Sequence, residues 1–159
     1  MIPYESVLDL IGNTPLVDVS RLSPNPNVRI IAKLENQNPF GSVKDRIAKA
    51  MVEDAEKHGR LMPGQTIVEP SSGNTGIALA AIAQIKGYPI KILMPTSVSI
   101  ERRQMLDIFG AEVILTPGEE GSNGAVARAI EMAKQNPDWC FLYQYANDAN
   151  ARAHYEGTG

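Results

Sequence analysis

Cysteine and histidine are scarce: Cys140 is the single thiol, and His58 and His154 are the two imidazoles in 159 residues. One thiol excludes an internal disulfide framework, and no Cys or His spacing suits a metal site. Basic charge is not in excess either. Lys and Arg number 15 against 18 Asp and Glu, a formal net charge of −3, which argues against a dedicated nucleic-acid binder. Long apolar runs are missing. The most apolar stretch, Ile77 to Ala83, meets Gln84 and Lys86 well short of a bilayer's thickness. The N-terminus lacks a basic patch followed by an apolar segment, so no signal peptide is indicated and a cytoplasmic location is expected. What remains is an ordinary globular mixture, 43% hydrophobic and 21% charged. It suffices for one medium domain or two small lobes.

The order of segments points to an α/β chain. Short β-branched or aromatic runs bounded by Gly, Pro or Asn read as strands at 30–34, 66–68, 90–94, 112–116 and 139–143. Apolar positions three and four apart predict helices over 43–57, 75–86, 100–109 and 122–135, and a short one near Asp148. The second is nearly all small or apolar and should be buried. In the third, Met105 and Leu106 should point inward. Gly87 and Gly110 sit where left-handed glycines end helices. Crossover helices imply parallel strands covered on both faces, hence an open three-layer αβα domain over about 43–146. The first 40 residues hold a turn, Gly12 to Pro15, a possible strand at 16–19 and a polar loop, Ser23 to Asn27. They are too few in elements for a domain of their own.

Three stretches carry chemistry. In Asn38-Pro39-Phe40-Gly41-Ser42-Val43-Lys44-Asp45-Arg46, Ser42 reads as a helix N-cap with Asp45 at capping-box spacing. Lys44 then falls in the first turn, where the helix favours negative charge. A positive local field favours the neutral amine, the nucleophilic form. A solvated surface lysine is the commoner alternative. In Glu69-Pro70-Ser71-Ser72-Gly73-Asn74-Thr75-Gly76, a strand passes into an apolar helix through hydroxyls, a carboxamide and backbone N–H groups. That suits a carboxylate or phosphate, although a plain cap with turn glycines also fits. It is neither a dinucleotide fingerprint nor a Walker A loop. The third is Tyr143 to Asn150, at the end of the last strand, where Gln144 and Asn147 are candidates. The loops at 95–99 and 117–122 lie at strand ends too. Cys140 reads as a small core residue. Glu101-Arg102-Arg103 reads as a solvated helix face from which an arginine could reach a substrate phosphate.

Taken together, several motifs resemble the cysteine synthase (O-acetylserine or O-phosphoserine sulfhydrylase) family. They are Gly12-Asn13-Thr14-Pro15-Leu16, Lys33-Leu34-Glu35, Asn38 to Arg46, Ser71 to Gly76, Glu101-Arg102-Arg103-Gln104, and Tyr143-Gln144-Tyr145 with Asn147 and Asn150. This is the tryptophan-synthase-β-like, fold-type II group of pyridoxal phosphate enzymes. Ser99 to Gln104 and Glu120 to Asn123 bring it near the B-type and actinobacterial members. The resemblance runs through the whole chain in the family's order. It implies that Lys44 binds the cofactor covalently and moves the α-proton, and that Asn74 hydrogen-bonds the 3′-oxygen of the ring. It implies that Ser71, Ser72, Asn74 and Thr75, helped by Gln144, grip the carboxylate of the amino acid. Ser71 stands where the family usually has Thr, which keeps the hydroxyl and predicts a slightly looser loop.

The implied reaction is β-replacement, forming L-cysteine from O-acetyl-L-serine or O-phospho-L-serine and sulfide or a carried sulfur. A cystathionine β-synthase-like or diaminoacid synthase activity, or a non-catalytic fragment, are the alternatives. The resemblance implies a homodimer, with a serine acetyltransferase tail or a sulfur-carrier protein as possible partners. It also implies a domain plan. Residues 1–40 belong with the large domain, 41–146 form the smaller α/β domain with the substrate loop, and 147–159 begin the return to the large domain. Family members run to about twice this length, and the glycine- and threonine-rich loop for the cofactor phosphate is absent. The chain is therefore expected to be a fragment or one piece of a split molecule, inactive by itself.

Overall fold

The computed structural model describes residues 3–159. Two short strands come first, β1 (Leu16–Asp18) and β2 (Ile31–Lys33), which pair antiparallel. Then follow α1 (Lys44–Lys57), β3 (Ile67–Pro70), α2 (Asn74–Lys86), β4 (Ile90–Pro95), α3 (Ile100–Ile108) and β5 (Glu112–Thr116). The chain ends with α4 (Gly121–Gln135), β6 (Cys140–Phe141), α5 (Asp148–Ala153) and one π-helical turn, His154–Thr158. β3 to β6 make a four-stranded parallel sheet in the order β5-β4-β3-β6.

The central strands β3 and β4 are buried on both faces, as parallel sheets favour, while the edge strand β5 leaves Glu112 and Leu115 exposed. Along β4, Ile90, Ile92 and Met94 face a core shared with Ile47, Met51 and Val52 of α1 and Leu79 and Ile82 of α2. Leu93 faces the other way, with Val68 of β3 and Ala125 and Ala129 of α4. This is the expected three-layer αβα arrangement. α2 has buried positions all round, Ala78 to Ala83 being at most 1% exposed, which fits its lack of a polar stripe. Gly87 ends it in the left-handed region, φ 78°, and the Tyr88 amide closes the turn on the Ala83 carbonyl.

Three expectations shift. Met105 is 40% exposed while Leu106 is fully buried, so α3 presents one of the two inward. The strand read at 139–143 keeps two paired residues, because Tyr143 turns left-handed at φ 50° and redirects the chain into a 3-10 turn, Gln144–Ala146. The strand read at 30–34 shrinks to Ile31–Lys33, and Ile30 and Ile31 are both exposed, so it has no dry face. Among the described residues, no helix is long and apolar enough to cross a membrane.

Candidate active site

The carboxyl ends of β3 and β4 open into a cavity of about 290 Å³. Lys44, the loop Ser71–Thr75 and Gln144 line it together. In the sequence these residues lie on three separate stretches; the sheet topology brings them to one end. Ser122 and Ala125 at the start of α4 and Pro95 at the end of β4 add to the wall, Pro95 and Ser122 from the strand-end loops singled out in the sequence. Tyr145 also lines the cavity. The sequence places it within the Tyr143-Gln144-Tyr145 motif without marking it out from its neighbours.

Lys44 is the first residue of α1 and is half-buried. Its placement comes from Asp45, which is completely buried. Asp45 accepts a hydrogen bond from the Phe40 amide at 2.6 Å and one from the Ser42 hydroxyl at 3.4 Å. The Lys44 amide donates to Ser42 Oγ at 3.1 Å. The expected capping box is thus displaced: Ser42 caps Lys44, and Asp45 reaches back to Phe40, because the 38–42 turn brings that amide closer. Burial pushes the Asp45 carboxyl up, against the hydrogen bonds from Phe40 and Ser42 that hold it down.

The 71–75 loop opens a helix of 13 residues whose cap, Gly73, has no side chain to offer. The Gly76 amide donates to Ser71 Oγ at 3.0 Å, and the Ile77 amide to the Gly73 carbonyl. The amides of Asn74 and Thr75 have no partner among the described residues, so a positive helix end faces the cavity. A Cβ on Gly76 would sit 2.6 Å from the Ser71 carbonyl oxygen. Only glycine lets the loop fold back so tightly on the helix. Ser71 is buried, its oxygen accepts from Gly76, and its O–H stays available to donate. Arg102 at the start of α3 donates to the Ser72 carbonyl at 3.0 Å, so the helix bearing it steadies the loop's outer edge. Arg103 instead donates to the Thr96 and Val98 carbonyls and holds the β4–α3 turn.

On the facing wall, Gln144 Nε2 donates to the Pro70 carbonyl at 3.4 Å and Asn150 Nδ2 to the Gln144 carbonyl at 2.9 Å. Asn147, expected as a candidate, does not line the cavity. Its Oδ1 caps α5 at the Ala149 amide and its Nδ2 donates to the Leu142 carbonyl. Cys140 is buried, and burial pushes its thiol up to about 11, as suits an inert core residue.

An amine and a helix N-terminus share one cavity above a parallel sheet, an arrangement of α/β folds that can take a carbonyl group and a small anion. Comparison with known proteins makes this specific. The model of the family described as "Pyridoxal-phosphate dependent enzyme" matches residues 7–159. The chain belongs to that family. It is 48% identical over 155 residues to a cysteine synthase of a Flavobacterium species, covering 98% of this chain and 50% of that protein. It is 49% identical over 149 residues to cysteine synthase B of Escherichia coli, covering 94% and 49%. Among solved structures, O-ureido-L-serine synthase superimposes with a TM-score of 0.92 at 43% identity, over 99% of this chain and 49% of that one. Cysteine synthase from Entamoeba histolytica gives 0.91 at 42%, over 97% and 47%. The chain spans about half the length of the curated relatives it matches.

Proposed function

We propose that this chain supplies the lysine and the substrate-carboxylate wall of a β-replacement enzyme. Its product would be L-cysteine, made from O-acetyl-L-serine or O-phospho-L-serine with sulfide or a carried sulfur. One observation carries the reading: Lys44, the Ser71–Thr75 loop and Gln144 converge on a single cavity. The donor set fits pyridoxal phosphate and an amino acid, with an amine for the aldehyde, a carboxamide for the ring oxygen and unpartnered helix amides for a carboxylate. The relatives named cysteine synthase support the choice of reaction.

When bound, the cofactor provides the electron sink that makes a Cα–H bond breakable. Lys44 Nζ would hold it and, once displaced by the substrate's amine, would be free to take the α-proton. Asn74 holds the ring's 3′-oxygen. The hydroxyls of Ser71, Ser72 and Thr75, the first-turn amides of α2 and the Gln144 carboxamide orient the substrate carboxylate. That fixes the Cα–H bond relative to Lys44. With both walls drawn onto the carboxylate, water is kept from the reacting carbon.

Residues 1–40 are read with a larger domain and 41–146 as the smaller one. The separate β1–β2 pair, with Leu16, Val17 and Ile31 exposed and Ile30 exposed beside it, favours further polypeptide over that face, and a homodimer belongs to the same family reading. The lone, buried, unpaired Cys140 fits a cytoplasmic setting. The test is borohydride reduction with pyridoxal phosphate, then peptide mapping. Selective phosphopyridoxyl on Lys44 is expected, and labelling scattered over surface lysines would count against the reading. Turnover with O-acetyl-L-serine, comparing sulfide with homocysteine, separates cysteine formation from a cystathionine β-synthase-like activity. The 159-residue chain alone is expected to form negligible cysteine.

A further inference from the structure

Glu69 lies two residues before the Ser71–Thr75 loop, on β3, and is 0% exposed. Its Oε1 accepts from the Gln144 backbone amide at 3.1 Å, and its Oε2 has no partner among the described residues. A buried carboxyl with an unsatisfied oxygen costs stability, so packing alone does not account for it. Its reach explains more. The chain leaves β6 through Tyr143, a non-glycine residue held left-handed at φ 50°, and Gln144 follows at once. Gln144 is fixed at three points: its amide on Glu69, its carbonyl on Asn150 and its side chain on the Pro70 carbonyl. Pro70 is the residue between Glu69 and Ser71. One carboxyl therefore ties together the two walls of the cavity.

We propose that Glu69 is a positioning residue that sets the distance and orientation of Gln144 relative to the Ser71–Thr75 loop, so that a substrate carboxylate meets both. The proposal rests on the cavity's reading as an amino-acid site. It carries a consequence for pH. Burial pushes Glu69 up to about 7, against the pull of the Gln144 and Tyr143 amides and the Gln144 carboxamide, all uncharged. The titratable group facing it from β6 is Cys140, raised to about 11, which keeps its proton near neutrality. Glu69 thus changes charge close to pH 7. Its ionised form accepts the Gln144 amide more strongly than its neutral form.

NMR on the isotopically labelled protein tests this, with Glu69→Gln and Glu69→Leu as variants and circular dichroism to verify folding. In the unaltered protein, the Gln144 amide proton is expected to move through an inflexion near pH 7 together with the Glu69 carboxyl carbon. In Glu69→Gln the inflexion should vanish. O-acetyl-L-serine should still shift the 71–75 amides there, while its shift of Gln144 is lost and its affinity falls roughly tenfold. A Gln144 amide that ignores the Glu69 titration overturns the proposal, even if both variants fail to fold. So does a folded Glu69→Gln protein with unaltered affinity and an unaltered Gln144 response. If O-acetyl-L-serine shifts neither wall of the unaltered protein, the site reading fails and the proposal falls with it. If the 71–75 amides respond and Gln144 is indifferent to Glu69, the proposal alone falls.

Discussion

The N-terminal segment and the parallel sheet are held by different forces. In the sheet and its helix cover, Ile67 and Ile92 of the strands and Leu79 and Ile82 of α2 are all 0% exposed, and burial of apolar area does most of the work. In the segment from Gly12 to Asn38, every strand residue is at least partly exposed. There, Arg46 of α1 acts as a polar anchor. It makes a two-pronged ion pair with Glu35, both bonds 2.8 Å, and donates to Thr14 Oγ1 at 2.9 Å and to the Gly157 carbonyl at 3.1 Å. Gly12 passes so close, with φ 96°, that a Cβ would lie 3.2 Å from the guanidinium. One region resists volume change and the other resists loss of a single charge.

The largest effect should come from the sheet's helix cover. Leu79→Ala is expected to cost about 4 kcal/mol, since the dry core of α1, α2 and β4 cannot collapse around the hole. Leu16→Ala, at 63% exposure, should stay within about 0.5 kcal/mol. Urea denaturation of both variants measures the contrast, and equal costs would break it. Next comes Arg46→Ala, at about 3 kcal/mol, because Glu35 is left nearly buried and unpaired. Here hydrogen exchange should accelerate at Gly12 and Asn38 and stay slow in β3 and β4. Acceleration throughout would mean that the two regions unfold as one.

pH separates the regions by sign. Glu35 is held down to about 2, chiefly by the Arg46 hydrogen bonds. Its contribution is present above about 4.5, its ordinary value, and is lost as pH falls toward 2. Glu69 runs the opposite way. Its carboxyl is raised to about 7, so the native state binds the extra proton and stability falls as pH rises from about 4.5 to 7. Each tenfold gain in proton affinity on folding is worth roughly 1.4 kcal/mol, so the fall is on the order of 3 kcal/mol or less. Glu69→Gln should flatten that slope and leave the acid limb intact. Calorimetry across pH 3 to about 8 reads both limbs, and a slope that survives Glu69→Gln would assign it to another group.

Legibility follows the same division. The sheet and its helices can be read because buried elements repeat their apolar positions at a fixed period. Ile90 to Met94 and the small-residue run of α2 are examples, and their bounds fall within a residue of expectation. The polar anchor cannot, since Glu35 and Arg46 meet across 11 residues of turn and Gly157 joins from 111 residues further on. Long-range polar contacts leave no periodic trace. Lys44, the loop and Gln144, singled out by motif and resemblance, line one cavity together. Glu69 hides at the end of β3 just before the loop, although a glutamate between Val68 and Pro70 in an apolar strand is itself a signal. β6 reads too long because Tyr143, with ordinary strand chemistry, sits in a left-handed turn that nothing local demands.

An effect on stability as small as that at Leu16 should be seen at Lys44, and its smallness is informative. Lys44 Nζ makes no hydrogen bond or ion pair among the described residues, and it sits at the positive end of α1. Asp45, Ser42 and Phe40 hold the turn through groups other than that amine. Lys44→Ala should therefore change unfolding free energy by no more than about 0.5 kcal/mol, and in the stabilising direction, because a cation leaves a helix N-terminus. Borohydride labelling with pyridoxal phosphate should at the same time disappear from that peptide. Under the proposed function, a residue that folding does not need, held beside a buried aspartate, would be positioned for chemistry rather than for packing. A loss above about 1 kcal/mol on Lys44→Ala would reverse that argument and return the amine to a structural role.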